Sequence, residues 1–442
     1  MQVLKFGGTS VGTPERIKEV AALINDGQPK VVVLSAMTGT TNALVEISEY
    51  LYKKNHDGAN EKIALLEQKY YTVVDELYKT APFKQKGREL IQTHFDYIRS
   101  FSRDVFTLFE EKEVLAQGEL MSTALMQYHL EEMGVQSDLI SALNFMRIDK
   151  EGEPDEFYIR ENLKRELNQL GNFYLVITQG FICRNAQGMI DNLQRGGSDY
   201  SASIMGAALQ VDEIQIWTDI DGVHTNDPRV VENTHAISEL SFDEAAELAY
   251  FGAKILHPTC VTPAKIANIP VRIKNTLEPS APGTLITGTC TKQRIRAIAA
   301  KDGITAIKIK SGRMLMAHGF LRKVFEIFET YKTSIDMITT SEVGMSVTID
   351  NDKYLDEIVE DLKKYGTVEV EKNQVIICVV GDLIADNKGI AASVFNAVQE
   401  VPLRMISYGG SNHNISMLVK AEYKKQALVA LSNNLFNDQK SK

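Results

Sequence analysis

The chain has 442 residues, 44% of them hydrophobic and 24% charged, enough for a sizeable core shared among about two to four domains. Its 48 basic and 58 acidic residues leave a formal charge of −10, which argues against a general nucleic-acid binder. No apolar run spans a bilayer, the N-terminus lacks a signal-peptide layout, and the four cysteines (Cys183, Cys260, Cys290, Cys378) are scattered without a histidine cluster, so a soluble cytoplasmic protein with reduced thiols and no metal cage is expected.

The chain opens on Val3-Leu4-Lys5-Phe6-Gly7-Gly8-Thr9-Ser10, a short apolar strand carrying a lysine, then two glycines and two hydroxyl residues, with a helix expected from Pro14 to Ile24. Glycines let a phosphate approach the backbone, a helix N-terminus favours negative charge, and the Lys5 ammonium is placed to neutralise a phosphoryl oxygen. An ordinary βα turn has the same outline, and neither a Walker A nor a G-x-G-x-x-G pattern is present. Lys30 to Ser35 reads as a strand buried on both faces, because its apolar run is continuous. It ends in the loop Ser35 to Asn42, which is rich in hydroxyls and sits where open α/β sheets bind ligands; Thr41 and Asn42 also suit a plain helix cap. From Ala43 to about Glu113 apolar residues recur at helical spacing and no chemistry is legible, so this segment reads as a helical insertion, a lid or an oligomer surface.

Gln117-Gly118-Glu119 is read as opening a helix, where a carboxylate suits the dipole and also suits a substrate ammonium. Strands at Gln136 to Ile140 and Asn172 to Thr178 flank a helix from Asp155 to Leu170, and the continued alternation argues for a parallel three-layer sheet. A second diglycine corner follows, Arg195-Gly196-Gly197-Ser198-Asp199, ahead of a small-residue helix. Arg195 can clamp a carboxylate and Asp199 can anchor an ammonium or order a lysine. After a strand from Asp212 to Trp217 comes the acidic loop Thr218 to Arg229, which lacks EF-hand spacing and suits a nucleotide better than Ca²⁺. A helix from Ser241 to Phe251 leads to Gly252-Ala253-Lys254-Ile255, and Gly283 to Arg294 reads as a linker.

Beyond the linker a repeat is visible. Val324-Phe325 recurs as Val394-Phe395, Met337-Ile338 as Met405-Ile406 and Ser346 as Ser416, with offsets near seventy residues. Each copy reads strand, helix, strand, strand, helix. The first copy has its own closing strand, Thr367 to Glu371, and the second has none, so the early strand Arg294 to Ala300 is expected to cross over and cover the second copy's open edge.

Taken together, Lys5-Phe6-Gly7-Gly8-Thr9-Ser10, Gly118-Glu119, Arg195-Gly196-Gly197-Ser198-Asp199, Trp217-Thr218-Asp219 and Phe251-Gly252-Ala253-Lys254, in this order, resemble the aspartate kinases of the amino-acid-kinase fold. The resemblance covers essentially the whole chain. It implies an α/β three-layer amino-acid-kinase fold with a mostly parallel sheet, plus two ferredoxin-like ACT domains. The expected divisions are a catalytic domain at 1–288, linker and crossover strand at 289–303, and ACT domains at 304–373 and 374–442. No homoserine dehydrogenase half is seen, so a monofunctional form is expected.

By resemblance, the reaction is MgATP plus L-aspartate giving 4-phospho-L-aspartate and ADP, the first step towards lysine, threonine and methionine. Lys5 and Asp199 would be catalytic; Thr41, Glu119, Arg195, Gly196, Gly197 and Ser198 would bind aspartate. Lys5, Phe6, Gly7, Gly8, Thr9, Ser10, Thr218, Asp219, His224, Arg229, Lys254 and Ile255 would hold ATP with Mg²⁺; the family often has Tyr in place of His224. Thr339-Thr340-Ser341-Glu342 and Gly319-Phe320-Leu321 are similar to the lysine-inhibited subgroup. The implied effector contacts are Met314, Ala317, Phe320, Leu321, Ser334, Ile335, Asp336, Thr340, Ser341 and Glu342, between ACT domains of a homo-oligomer, with Asp336 and Glu342 suited to a cationic side chain. Other classes are a related kinase acting on another acid and a non-catalytic amino-acid sensor; intact Lys5, Asp199 and both diglycine corners disfavour the latter. No nucleic-acid or membrane partner is expected.

Overall fold

The computed structural model describes residues 1–103, 105–193, 196–252, 258–290, 295–312, 319–381 and 388–436. The chain forms two compact units: Met1–Val223 with Ser238–Phe242 and Leu256–Cys290, and His224–Ile237 with Asp243–Ile255 and Thr291–Lys442.

The first unit is built on a sheet of β1 (Gln2–Phe6), β2 (Lys30–Leu34), β3 (Asp138–Leu139), β4 (Leu175–Gln179), β7 (Glu213–Thr218), β8 (Glu239–Ser241), β9 (Val271–Asn275) and β10 (Thr284–Thr287), in the order β3-β4-β2-β1-β7-β9-β10-β8. Pairing is parallel except between β9 and β10. Every residue of β2 and β4 is buried, as expected for parallel strands covered on both faces. A small hairpin, β5 (Ile182–Arg184) with β6 (Ile190–Asn192), stands apart from this sheet.

Helices α1 (Pro14–Ile24), α2 (Thr40–Tyr52), α3 (His56–Leu77), α4 (Ala81–Ser100), α5 (Leu108–Glu132), α6 (Glu156–Leu170), α7 (Gly197–Leu209) and α9 (Thr262–Ala267) complete this unit. One apolar cluster joins Phe6, Val32 and Leu34 of the sheet to Ile17, Leu44, Ile63, Tyr70, Phe95 and Leu125 of the helices. The long helical segment is thus part of the main core. Helix α5 begins at Leu108 with a capping box formed by Thr107 and Glu110, so Glu119 lies in mid-helix, not at the helix start that the sequence suggested. The run before Glu119 is itself good helix, which hid the true start.

The second unit carries α8 (Phe242–Tyr250, its first residue counted with the first unit), α10 (Phe320–Thr330), α11 (Leu355–Lys363), α12 (Ile390–Ala397) and α13 (Lys424–Leu435). Its sheet comprises β11 (Ala297–Lys310), β12 (Ile338–Thr340), β13 (Gly344–Ile349), β14 (Thr367–Val380), β15 (Met405–Tyr408) and β16 (Asn414–Lys420), ordered β12-β13-β11-β14-β16-β15 and antiparallel throughout. The sequence suggested four short central strands; β11 and β14 are two continuous strands of 14 residues each. Ala297–Lys301 pairs with Ile376–Val380, and after register shifts around Ile304 the rest of β11 pairs back to Thr367. One half of the sheet packs Val324, Phe328, Ile358 and Leu362 of α10 and α11; the other packs Val394, Leu428 and Leu431 of α12 and α13. Arg296 and Glu244 form an ion pair at 3.4 Å, each side chain only 4% exposed.

Candidate active site

Lys5 sits on β1, a central strand between β2 and β7, and its side chain ends beside the first glycine corner. Gly7 follows in extended conformation, and Gly8–Val11 is a short 3₁₀ turn. The helix α1 starts only at Pro14, capped by Thr13, so the first diglycine corner is not the N-terminus of that helix. It is a tight junction instead. A Cβ on Gly8 would stand 2.8 Å from the carbonyl oxygen of Ala36, and one on Gly12 would stand 2.5 Å from Thr38 Oγ1.

The second corner does cap a helix. Gly196 is the left-handed cap of α7, with φ of 75°, and Gly197 opens it. Asp199 lies in the first turn of α7, where a carboxylate suits the dipole. Its Oδ1 is 2.6 Å from Lys5 Nζ, with the two side chains 18% and 12% exposed. Residues 5 and 199 therefore bring both corners to one place. The contact is nearly desolvated, so each charge is much stronger towards its neighbour than at the surface.

Beside the pair lies a cavity of about 300 Å³ lined by Gly8, Ser35, Ala36, Met37, Thr38, Gly39, Thr41, Asn42, Glu119, Phe181, Gly197 and Ser198. Ser35 donates its hydroxyl to Ser198 Oγ at 2.9 Å, and the Ser122 hydroxyl holds the Ser35 carbonyl at 2.8 Å. Glu119 Oε1 accepts from the Ala36 amide at 3.1 Å, while its buried Oε2 has no hydrogen-bond partner. Burial pushes the Glu119 carboxyl up to about 8, against the pull of the Ala36 amide. An unpartnered buried carboxylate oxygen in a cavity wall suits a cationic group on a ligand.

Of the residues singled out from sequence, Gly8, Thr41, Glu119, Gly197 and Ser198 line this cavity, and Lys5 and Asp199 pair with each other. Phe6 is buried and stacks on Trp217 at 5.6 Å; the Ser10 hydroxyl bonds to Thr276 Oγ1, and Thr276 to the Thr218 carbonyl. Asp219 accepts from the Thr218 hydroxyl at 3.2 Å. Arg195, Lys254, Ile255, Met314 and Ala317 lie outside the described residues.

Phe181 was missed. It holds φ of +66°, unusual for a non-glycine residue, and its amide donates to Ser201 Oγ at 2.9 Å. The signal available was Gly180 directly before it: a Cβ there would stand 2.4 Å from Ser198 Cβ.

In the second unit, Arg229 grips Asp227 through two hydrogen bonds of 2.9 Å, which pull the Asp227 carboxyl below its usual range. His224 Nδ1 is 3.0 Å from Thr234 Oγ1. Phe320 is core, packed edge-on to Tyr365, whereas Leu321 is exposed; Ser334, Thr340, Ser341 and Glu342 are exposed and Ile335 is half-buried. Asp336, read from the sequence as suited to a cationic side chain, is half-buried. Its Oδ1 accepts from Lys301 Nζ at 2.7 Å and from the Tyr250 hydroxyl at 3.0 Å, and Lys301 also reaches Asp350 at 2.8 Å. Its Oδ2 is buried without a partner.

A family model described as the amino acid kinase family matches residues 1–275, and one described as an ACT domain matches residues 377–435. The lysine-sensitive aspartokinase 3 of Escherichia coli is 34% identical over 450 residues, covering 98% of this chain and 99% of that protein. The crystal structure of E. coli aspartokinase III with aspartate and ADP, called its R-state, superposes with a TM-score of 0.86 at 34% identity over 99% of this chain and all of that one. Its complex with lysine and aspartate, called the T-state, gives 0.84 over the same shares. No helix among the described residues is long and apolar enough to cross a membrane. With the kinase model spanning well over half of the chain and a relative matched nearly end to end, the chain belongs to the amino acid kinase family and, within it, to the aspartokinases.

Proposed function

We propose that this chain is an aspartate kinase, transferring the γ-phosphoryl group of MgATP to the side-chain carboxylate of L-aspartate and committing that carbon skeleton to lysine, threonine and methionine synthesis. The observation that carries the reading is the Lys5–Asp199 pair, held between two diglycine corners beside a small cavity with a buried carboxylate. A carboxylate oxygen of aspartate attacks the γ-phosphorus, the bond to the β,γ-bridging oxygen breaks, and ADP leaves with that electron pair. The acceptor is already ionised at neutral pH, so no strong base is required. Positioning and charge neutralisation are the work left to the protein.

Lys5 neutralises the phosphoryl oxygens in flight, and Asp199 aims the ammonium. Glu119 takes the substrate ammonium, and Thr41, Gly196, Gly197 and Ser198 shape the aspartate site, with Arg195 as the clamp on its α-carboxylate. Phe6, Gly7, Gly8, Thr9, Ser10, Thr218 and Asp219 lie on the nucleotide side; His224, Arg229, Lys254 and Ile255 join that list through the family resemblance. Among the described residues no group of three His, Cys, Asp or Glu side chains is placed to hold a metal ion. Mg²⁺ would arrive on the ATP phosphates, keep several waters and offset phosphate charge.

Lysine is the proposed feedback inhibitor. The relative named lysine-sensitive and solved with lysine supports this, as do Asp336 and the exposed Thr340, Ser341 and Glu342. The ACT domains are the proposed contact between subunits. Trapping the acyl phosphate as a hydroxamate, with aspartate, glutamate and N-acetylglutamate, with and without lysine or threonine, tests the whole reading. Aspartate alone should give product, and lysine should suppress it. Product from another acid, or none from aspartate, would overturn the assignment.

A further inference from the structure

The helical insertion, in which the sequence shows no chemistry, sends two neighbouring side chains to the loop that walls the acceptor cavity. Lys69 and Tyr70 are adjacent on α3. Lys69 Nζ donates to the Thr38 carbonyl at 2.6 Å, and the Tyr70 hydroxyl shares a hydrogen bond with Thr40 Oγ1 at 2.9 Å. The two grips fall on either side of Gly39, whose φ of +79° turns the loop into α2. Thr38 is also the link to the first glycine corner, because its hydroxyl donates to the Gly8 carbonyl at 2.8 Å. There is no slack at this junction, since even a methyl group on Gly8 or Gly12 would collide with the loop.

The second grip is deep. Tyr70 and Thr40 are both fully buried, and Tyr70 meets Phe95 edge-on at 5.9 Å. Lys69 is more open, yet it too is partly desolvated where it meets the loop, and burial pulls its ammonium below the usual range. Neither side chain lines the cavity; Thr38, which Lys69 holds, does, and so do Gly39 and Thr41 on either side of Thr40, which Tyr70 holds.

We propose that Lys69 and Tyr70 are positioning residues for the phosphoryl acceptor: they pin the loop from Ala36 to Thr41 against the Gly8 corner and so set the affinity and register of the small carboxylic acid bound there. This rests on the aspartate reading of the cavity. The pinned loop carries Thr41 and the Ala36 amide that holds Glu119, so loosening it disturbs the acceptor side first. Tyr70→Phe removes one hydroxyl and keeps the core packed; Lys69→Met keeps the stem and removes the donor.

The full-length protein is examined by amide hydrogen exchange without ligand and by steady-state kinetics. In Lys69→Met, Tyr70→Phe and the double variant, exchange across residues 36–41 should quicken by about tenfold or more while the rest of α2 is unchanged. The aspartate KM should rise about tenfold with the ATP KM within about twofold, and Lys69→Arg, which still offers a donor, should restore both readouts. Unchanged exchange in this loop overturns the proposal, as does an equal rise in both KM values or failure of the arginine variant to rescue. If the unmodified protein forms no aspartyl phosphate, the aspartate reading is what fails; the exchange measurement then still decides whether the grip on the loop exists.

Discussion

At the scale of single residues, the buried Glu119 makes the sharpest statement. Burial penalises its charge and pushes the carboxyl up to about 8, against the smaller pull of the Ala36 amide and its own backbone amide. A folded pKa above the unfolded one means that this group favours the fold below the unfolded pKa of 4.5, and that the contribution is lost as pH rises through about 8. A substrate ammonium selects the ionised form. The aspartate KM should therefore fall by up to about tenfold per pH unit between about pH 6 and 8, and Glu119→Gln should flatten that slope while raising KM. A profile that stays steep in the Gln variant would assign the titration elsewhere. Lys5, Glu119 and Asp199 were all legible in the sequence, because each stands in a short pattern whose chemistry is local. Phe181 was not, since its role depends on a positive φ and on Ser201, twenty residues on, neither of which a one-dimensional reading supplies.

At the scale of elements, the strand and helix alternation of the first unit could be read from continuous apolar runs, and β2, Lys30–Leu34, falls on the run from Lys30 to Ser35. The misreadings have physical causes. The helix carrying Glu119 starts eleven residues earlier than that glutamate, because Thr107 and Glu110 supply a cap outside the motif. The break between β10 and β11 was visible as polar sequence, but the continuity of β11 through Asp302 and Gly303 was not, because pairing with β14 outweighs the local turn signal. The close approach of strand end to helix start is testable: Gly180→Ala would place a Cβ 2.7 Å from Ser198 Cα. It should cost about 1–3 kcal/mol of stability and reduce turnover, as read from denaturant midpoints and initial rates. Removing the carboxylate by Glu244→Ala should cost about 1–3 kcal/mol, because Arg296 loses one charged, buried partner. A loss below about 1 kcal/mol would mean water or another group already serves Arg296.

At the scale of the whole molecule, regulation requires lysine to prefer a less active state. The carboxylate best suited to its side-chain ammonium, Asp336, is already held by Lys301 and Tyr250. If lysine binds at Asp336 as proposed, it displaces that internal ammonium, so Lys301→Met should lower the half-inhibiting lysine concentration severalfold, whereas Asp336→Asn should raise it by about 5- to 150-fold. An inhibition curve that is flat across millimolar lysine would remove the effector from the account. All of this is secondary to the meeting of residues 5 and 199, which lie on two corners far apart in the chain. The most direct measurement is single-turnover formation of aspartyl phosphate by Lys5→Ala, with its thermal midpoint recorded alongside. The rate should fall by about 10²–10³-fold or more in a variant that still folds, its midpoint lowered only as far as loss of the Asp199 partner requires; a rate near that of the unmodified protein, in a fully folded variant, would contradict the kinase assignment.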